Sequence, residues 1–158
     1  RRAVADPRVQ KVCIWTPDKD LAQCVRGDHV VQVDRRTQKI RDAAGVREKF
    51  GVEPALIPDF LALVGDAADG YPGLEGIGRV SAARLLGRYG PLECFPPEVL
   101  AKRRRELALL FKTLATLRTD ARLFDDVEEL HCHGPTKACV TQLADTRLLA
   151  RALKPPRN

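Results

Sequence analysis

Gly73-Leu74-Glu75-Gly76-Ile77-Gly78-Arg79-Val80-Ser81-Ala82-Ala83-Arg84-Leu85-Leu86 is the most specific stretch of this chain. Gly76 and Gly78 flank one branched apolar residue, and helix-compatible residues follow. The segment therefore reads as a tight turn that opens a helix. Glycine lets the backbone turn sharply and lets a phosphate approach its N–H groups, where the helix dipole already favours negative charge. Ile77 would plug the turn into the core, and Ala82 and Ala83 would permit close helix packing. Such a turn grips a nucleic-acid backbone without reading sequence, and its carbonyls can hold a monovalent cation. The same residues would also make an ordinary packing corner between two helices.

Upstream, Leu56, Ile57, Phe60, Leu61, Leu63 and Val64 follow Pro54 at helical spacing, so a largely apolar helix is expected to lead towards the turn. Before it, Asp42 and Gly51 suit the N-cap and the C-terminal stop of a helix ending at Phe50. Val12-Cys13-Ile14-Trp15 reads as a buried parallel strand and Val30, Val31 and Val33 as a second. Residues 18–25 read as a short helix, and residues 37–40 can pair back onto the second strand. Downstream, residues 98–117 form an amphipathic pattern whose expected buried face is Leu107, Leu110, Phe111, Leu114 and Leu117. Arg122-Leu123-Phe124 suggests a strand or extended segment, and residues 140–153 look helical.

Two pairs of aspartates carry the candidate chemistry. Asp18 and Asp20 follow the first strand, where open α/β folds place ligands, and i, i+2 residues of an extended backbone share a side. Asp66 and Asp69 lie in the glycine-rich loop of residues 65–73. Brought together, each pair of carboxylates ~4 Å apart repels by roughly 1 kcal/mol in water and more in a cleft. A cation removes that cost. Oxygen ligands without His or Cys favour Mg²⁺ or Mn²⁺, and two such ions suit phosphodiester hydrolysis. The alternative is plain surface acids: Asp18 a helix cap, Asp66 and Asp69 turn formers.

The bulk numbers agree with a polyanionic partner. The chain has 158 residues, a formal net charge of +6 and 44% hydrophobic content, enough for a packed core. With 5% aromatics, a ring-stacking surface for single-stranded bases is not expected. No apolar run approaches the ~20 residues of a spanning helix. Cys13, Cys24, Cys94, Cys132 and Cys139 form no CxxC pair and read as reduced thiols, some of them core filler. His131-Cys132-His133 with Cys139 matches no usual zinc spacing. A chain that starts at Arg1 and contains no Met is expected to be a fragment, in keeping with its too few strands for a full sheet.

Thr16-Pro17-Asp18-Lys19-Asp20-Leu21, Val46-Arg47-Glu48-Lys49-Phe50-Gly51, Ile57-Pro58-Asp59-Phe60-Leu61, Gly65-Asp66 and Gly76-Ile77-Gly78 occur in an order that closely resembles the bacterial 5′–3′ exonuclease and flap endonuclease family. That family includes the N-terminal nuclease domain of family-A DNA polymerases and stand-alone relatives. The resemblance covers residues 10–128. It implies an α/β, PIN-like nuclease domain joined to a mainly α helix–three-turn–helix region, a helix–hairpin–helix type of DNA grip. It implies that Asp18, Asp20, Asp66 and Asp69 are divalent-metal ligands. It also implies that Gly76, Ile77 and Gly78, with Arg79, Ser81 and Arg84 nearby, hold duplex DNA with a K⁺ ion at the turn. Gly70 replaces a usual Asn, Val80 a common Lys, and Ala67 and Ala68 frequent serines. The family carries an earlier portion with the first strand and further acids, so an incomplete metal site is expected.

The expected organisation is residues 1–42 as the C-terminal part of the catalytic domain, 43–128 as the DNA-binding region and 129–158 as a tail. The expected activity is structure-dependent 5′–3′ exonuclease or 5′-flap cleavage in replication primer removal and repair. The partner would be DNA with a 5′ end or flap, an RNA primer included. The protein would be a monomer in the bacterial cytoplasm, at the nucleoid, with no membrane. The alternative is a non-catalytic module of the same fold that binds DNA structure.

Overall fold

The computed structural model describes residues 2–143, in two compact units divided between residues 121 and 122. After a single helical turn, α1 (Arg2–Ala5), the first unit builds a three-stranded sheet in the order β1 (Val12–Trp15), β2 (Val30–Val33), β3 (Ile40–Arg41). β1 and β2 are parallel, with Val12 opposite Val30, and β3 returns antiparallel. All four residues of β2 are buried, because it lies between two strands. β1 departs from the expected buried strand: its burial alternates and Trp15 is 56% exposed. It pairs on one side only among the described strands, which leaves its pleat half open.

A short 3₁₀ turn, Asp20–Cys24, carries the crossover from β1 to β2 and buries Ala22. α2 (Ala43–Phe50) starts and stops where its cap residues dictate. Asp42 Oδ1 accepts from Gly45 N–H at 2.8 Å, and Gly51 takes φ 76°. A 3₁₀ turn led by Pro54 runs into α3 (Ile57–Val64), where every residue from Ile57 to Leu63 is buried. A helix apolar on all sides belongs at the centre of a domain, and α4 (Arg79–Tyr89) and α5 (Lys102–Ala115) both pack on it. The sheet's crossover turn also contacts α3, so residues on both sides of position 42 share one core.

The buried face of α5 differs from expectation. Ala108, Phe111 and Ala115 are buried, while Leu107, Leu110 and Leu114 are 43%, 56% and 60% exposed. Leu117 lies beyond the helix and is half-buried. Residues 122–124 form no strand. Cys13, Cys94 and Cys132 are exposed and Cys24 half-buried, so none of these four is core filler. The second unit holds a 3₁₀ turn, Val127–Leu130, capped by Asp126 and Glu129, then α6 (Lys137–Leu143). The remainder of the expected helix over 140–153 lies outside the described residues.

Candidate metal centre and nucleic-acid interface

Two loops meet beside the sheet. The first leaves β1 at Trp15, is bonded to β2 through Thr16 N–H to Val33 O at 3.1 Å, and enters the Asp20–Cys24 turn. Gln32, fully buried in β2, donates through Nε2 to the Asp18 carbonyl and accepts from Arg41 at 2.9 Å, so its amide anchors this loop. The second loop leaves α3. Asp66 and Tyr71 exchange backbone hydrogen bonds of 2.8 and 3.1 Å across its neck. Gly65 and Gly73 sit so close that a Cβ on Gly73 would lie 2.4 Å from Gly65 N. Their φ values of +88° and +74° suit glycine as well.

The carboxylates of Asp20, Asp66 and Asp69 each offer an oxygen within 4.8 Å of the others. Asp66 is 3% exposed. Asp20 Oδ1 is buried and has no hydrogen-bond partner among the described residues. Burial, a hydrogen bond shared with Asp69, and the charges of Asp18, Asp69 and Asp66 push the Asp20 carboxyl up to about 7. Asp66 also turns its own loop, accepting from Ala68 N–H at 3.0 Å, and Lys19 Nζ lies 2.6 Å from its Oδ1. The partnerless acid oxygen and the all-carboxylate donor set fit a hard divalent cation.

Asp18 stands outside this trio. The expected same-side placement of residues 18 and 20 assumes an extended backbone, but Lys19 between them is helical (φ −70°, ψ −28°). Asp18 Oδ1 instead accepts from Asp20 N–H at 3.2 Å, and the side chain is exposed. It still lines the same cleft of about 450 Å³ as Asp66, Asp69, Lys19, Lys49 and Arg79.

Lys49 was not evident from the sequence. Its ammonium lies 5.0 Å from the Phe50 ring centroid, and the Arg79 guanidinium lies 5.7 Å from the same centroid and 5.5 Å from that of Phe60. Arg79 Nη2 also donates to the Lys49 carbonyl at 3.2 Å. Burial, with the neighbouring charges of Arg41 and Arg79, lowers the Lys49 pKa. Arg79 thus turns into the cleft rather than away along α4. Nothing in residue order links Lys49 to Arg79; their meeting follows from α2 packing over the start of α4.

At the turn before α4, Gly76 has φ 77° and Ile77 packs on the core. A Cβ at Gly76 or Gly78 would meet nothing within 4 Å, so the turn is open to an approaching group. Gly78 caps α4 without a side-chain hydrogen bond, and Arg104 Nη2 from α5 holds the Glu75 carbonyl at 2.6 Å. Ser81 is half-buried and Arg84 exposed, while Val80 is 84% exposed. Ala82 is fully buried, and a Cβ on Gly51 would stand 2.8 Å from that of Ala83, so α2 and α4 approach closely.

The raised Asp20 carboxyl has a signed consequence. Its proton is held more tightly in the folded chain (about 7) than at the ordinary value of 3.8. The stability this confers is full below 3.8 and is lost as pH rises through about 7. A cation that replaces the proton acts in the opposite sense. Chelator-treated protein is therefore expected to lose thermal stability from pH 5 to pH 8, and Mn²⁺ to raise the midpoint more at pH 8 than at pH 5. Scanning fluorimetry checks this; a Mn²⁺ shift equal at both pH values would count against cation binding at Asp20.

Comparison with known proteins places these loops in a family context. Residues 52–138 match the family model described as 5′-3′ exonuclease, C-terminal SAM fold. DNA polymerase I of Pseudomonas aeruginosa is 39% identical over 84% of this chain and 16% of its own length. The 5′-3′ exonuclease of Aquifex aeolicus is 38% identical over 79% of this chain and 45% of its own length. The flap endonuclease Xni of Cronobacter sakazakii is 32% identical over 77% of this chain and 51% of its own length. The chain thus spans between about a sixth and a half of these relatives. Among solved structures, T5 5′-exonuclease with divalent zinc bound has a TM-score of 0.52 at 18% identity, over 67% of this chain and 40% of that one. A bacteriophage T5 flap endonuclease in a pseudo-enzyme–product complex with DNA and metal ions gives 0.52 at 17%, over the same shares. This likeness is one of fold: a PIN-like nuclease fold with a small mixed sheet and helices.

Proposed function

The chain belongs to the 5′–3′ exonuclease family, and we propose that it contributes to a metal-dependent nuclease that hydrolyses DNA phosphodiesters at 5′ ends or flaps. The observation that carries this reading is one cleft lined by opposite charges, Asp18, Asp66 and Asp69 with Lys49 and Arg79, where Asp20 clusters with Asp66 and Asp69. Phosphodiester hydrolysis needs carboxylates for a cation and cations for the phosphate, and an ordinary solvated surface has no reason to separate them within one cleft. Asp20, Asp66 and Asp69 would hold Mg²⁺ or Mn²⁺, with Asp18 at the rim. The ion would supply a Lewis acid and a lowered water pKa. Lys49 and Arg79 would orient the phosphate of the cut strand.

The open turn at Gly76, Ile77 and Gly78, with Ser81 and Arg84 along α4, would hold the duplex through its phosphates, with K⁺ on the turn carbonyls, as a helix–three-turn–helix grip. Residues 1–42 would then belong with the catalytic domain, residues 43–128 with the grip and residues 129–158 with a tail. Replication primer removal and repair, RNA-primed ends included, are the setting that the family suggests, for a monomer acting at the bacterial nucleoid. No described helix is long and apolar enough to cross a membrane.

A second reading, a DNA-structure-binding module without catalysis, is favoured by one observation: among the described residues only three carboxylates cluster. A labelled 5′-flap duplex separates the two. The nuclease reading expects the full-length protein to cut it with Mg²⁺ or Mn²⁺ and to stop on chelation. Both readings expect duplex affinity to fall steeply with salt. Salt-dependent binding without cutting at any metal concentration supports the module; salt-independent or absent binding rejects both.

A further inference from the structure

Tyr71 closes the loop that carries Asp66 and Asp69. Its backbone is paired with Asp66, and its ring is 3% exposed, stacked on Phe111 of α5 at 5.5 Å and 24°. Yet its hydroxyl is buried without a hydrogen-bond partner among the described residues. Buried polar atoms are nearly always paired, and tyrosine is otherwise a costly choice where phenylalanine would stack as well. The surroundings give the hydroxyl a purpose. Burial first, and then the charges of Asp20, Asp66 and Asp69 in that order, raise its pKa far from ionisation, so at any working pH it is a proton donor.

The second partnerless buried atom among the described residues is Asp20 Oδ1, an acceptor, on the carboxylate whose charge weighs most on Tyr71. Donor and acceptor are not bonded to each other. Tyr71 is paired through its backbone with Asp66, whose carboxylate clusters within 4.8 Å of that of Asp20, so both atoms belong to one buried, charged site of the kind in which a water completes such groups. We propose that Tyr71 is a positioning residue of the carboxylate cluster, its hydroxyl donating to a water seated against Asp20 and thereby orienting the Asp20 carboxylate for a divalent cation. The inference rests on the metal reading of the cluster. Partners outside the ligand sphere act by such orientation, and their loss weakens metal binding ~10–100-fold.

Tyr71→Phe tests it, since the ring and its stack on Phe111 remain. In the full-length protein, Mn²⁺ affinity is measured by calorimetry without substrate, and thermal midpoint is measured in chelator. The expected result is a Mn²⁺ Kd weakened by at least about tenfold with the chelator midpoint essentially unmoved. A Mn²⁺-induced change in tyrosine absorption should also be present in the wild type and absent in Tyr71→Phe. An affinity within twofold of wild type overturns the role and leaves the metal reading standing. No Mn²⁺ binding by the wild type overturns both. If Tyr71→Phe loses chelator stability and affinity together, Phe111→Leu, which loosens the ring but keeps the hydroxyl, is compared. Equal affinity loss in both variants overturns the hydroxyl's role, and loss confined to Tyr71→Phe supports it.

Discussion

Asp66→Asn in the full-length protein is expected to lower metal-dependent cleavage of a 5′-flap duplex by about 10³-fold or more while leaving duplex affinity within about twofold. The magnitude follows from the loss of several kcal/mol of transition-state charge stabilisation when an ion loses its most buried ligand, at about 1.36 kcal/mol per factor of ten. Asp66 is that ligand in the proposed centre: it is 3% exposed, whereas Asp69 is exposed and Asp20 half-buried. Asparagine is the informative replacement because Asp66 Oδ1 also accepts from Ala68 N–H at 3.0 Å. An amide oxygen can keep that turn, so the loop and the open turn at Gly76 should persist. Removing one of three clustered charges relieves repulsion while ending the 2.6 Å contact with Lys19, two effects of opposite sign, so the chelator-treated variant should melt close to wild type, and Mn²⁺ should no longer raise its midpoint. Cleavage retained within tenfold, or binding lost in step with cleavage, would take Asp66 out of the metal site.

How far these features were legible depends on whether the deciding interaction was local. Asp42 and Gly51 bound α2 where expected because a cap is settled within a few residues by backbone chemistry. α3 was legible because a helix apolar on all sides has one place to go. The face of α5 was not. Leu107, Leu110 and Leu114 repeat at i, i+3, i+7, and so do Ala108, Phe111 and Ala115, one residue and about 100° further round. Hydrophobicity favours the leucines. Packing chose the alanines, since small side chains let α5 lie close on α3, and Lys112 belongs to the same face. Asp59 inside an otherwise apolar helix was the available clue, because a buried acid requires a partner on whichever helix covers it.

The candidate site divides the same way. The two aspartate pairs were visible, and so was the open glycine turn, because both are written in contiguous residues. That Asp20 joins Asp66 and Asp69 while Asp18 does not goes with one helical residue between them, Lys19, at the start of the Asp20–Cys24 turn. Lys49 and Tyr71 acquire meaning only from neighbours distant in sequence: Arg79 across the Phe50 ring, and Phe111 beneath the Tyr71 ring. Gln32 looked like one polar residue among valines. Its amide reaches the Asp18 carbonyl and Arg41 only because a parallel crossover returns that loop to the end of β2.

Lys112→Met is expected to destabilise the fold by about 3–5 kcal/mol, the usual cost of removing one partner of a buried pair. Asp59 is 2% exposed in the middle of α3, and its Oδ1 receives Leu92 N–H at 2.8 Å and Lys112 Nζ at 2.7 Å. The same ammonium reaches Glu93 at 2.8 Å, so one lysine ties α5 to both α3 and the segment before it. Burial by itself would lower the Lys112 pKa, but the hydrogen bonds it donates to Asp59 and Glu93 outweigh it and leave the pKa raised above 10.5. A raised lysine contributes stability that is complete below its unfolded value and lost only as pH climbs through the folded one. The contact should therefore act undiminished across neutral pH and weaken above about 10.5. Methionine preserves the apolar stem, so the loss reports the charge rather than the packing. The double variant Asp59→Asn with Lys112→Met should recover much of the loss, because it removes the stranded carboxylate and keeps an oxygen for Leu92 N–H. Denaturant unfolding of the two variants decides the matter: a single-variant loss below about 1 kcal/mol, typical of an exposed pair, or no recovery in the double, would mean that the ion pair does not hold α5 against α3.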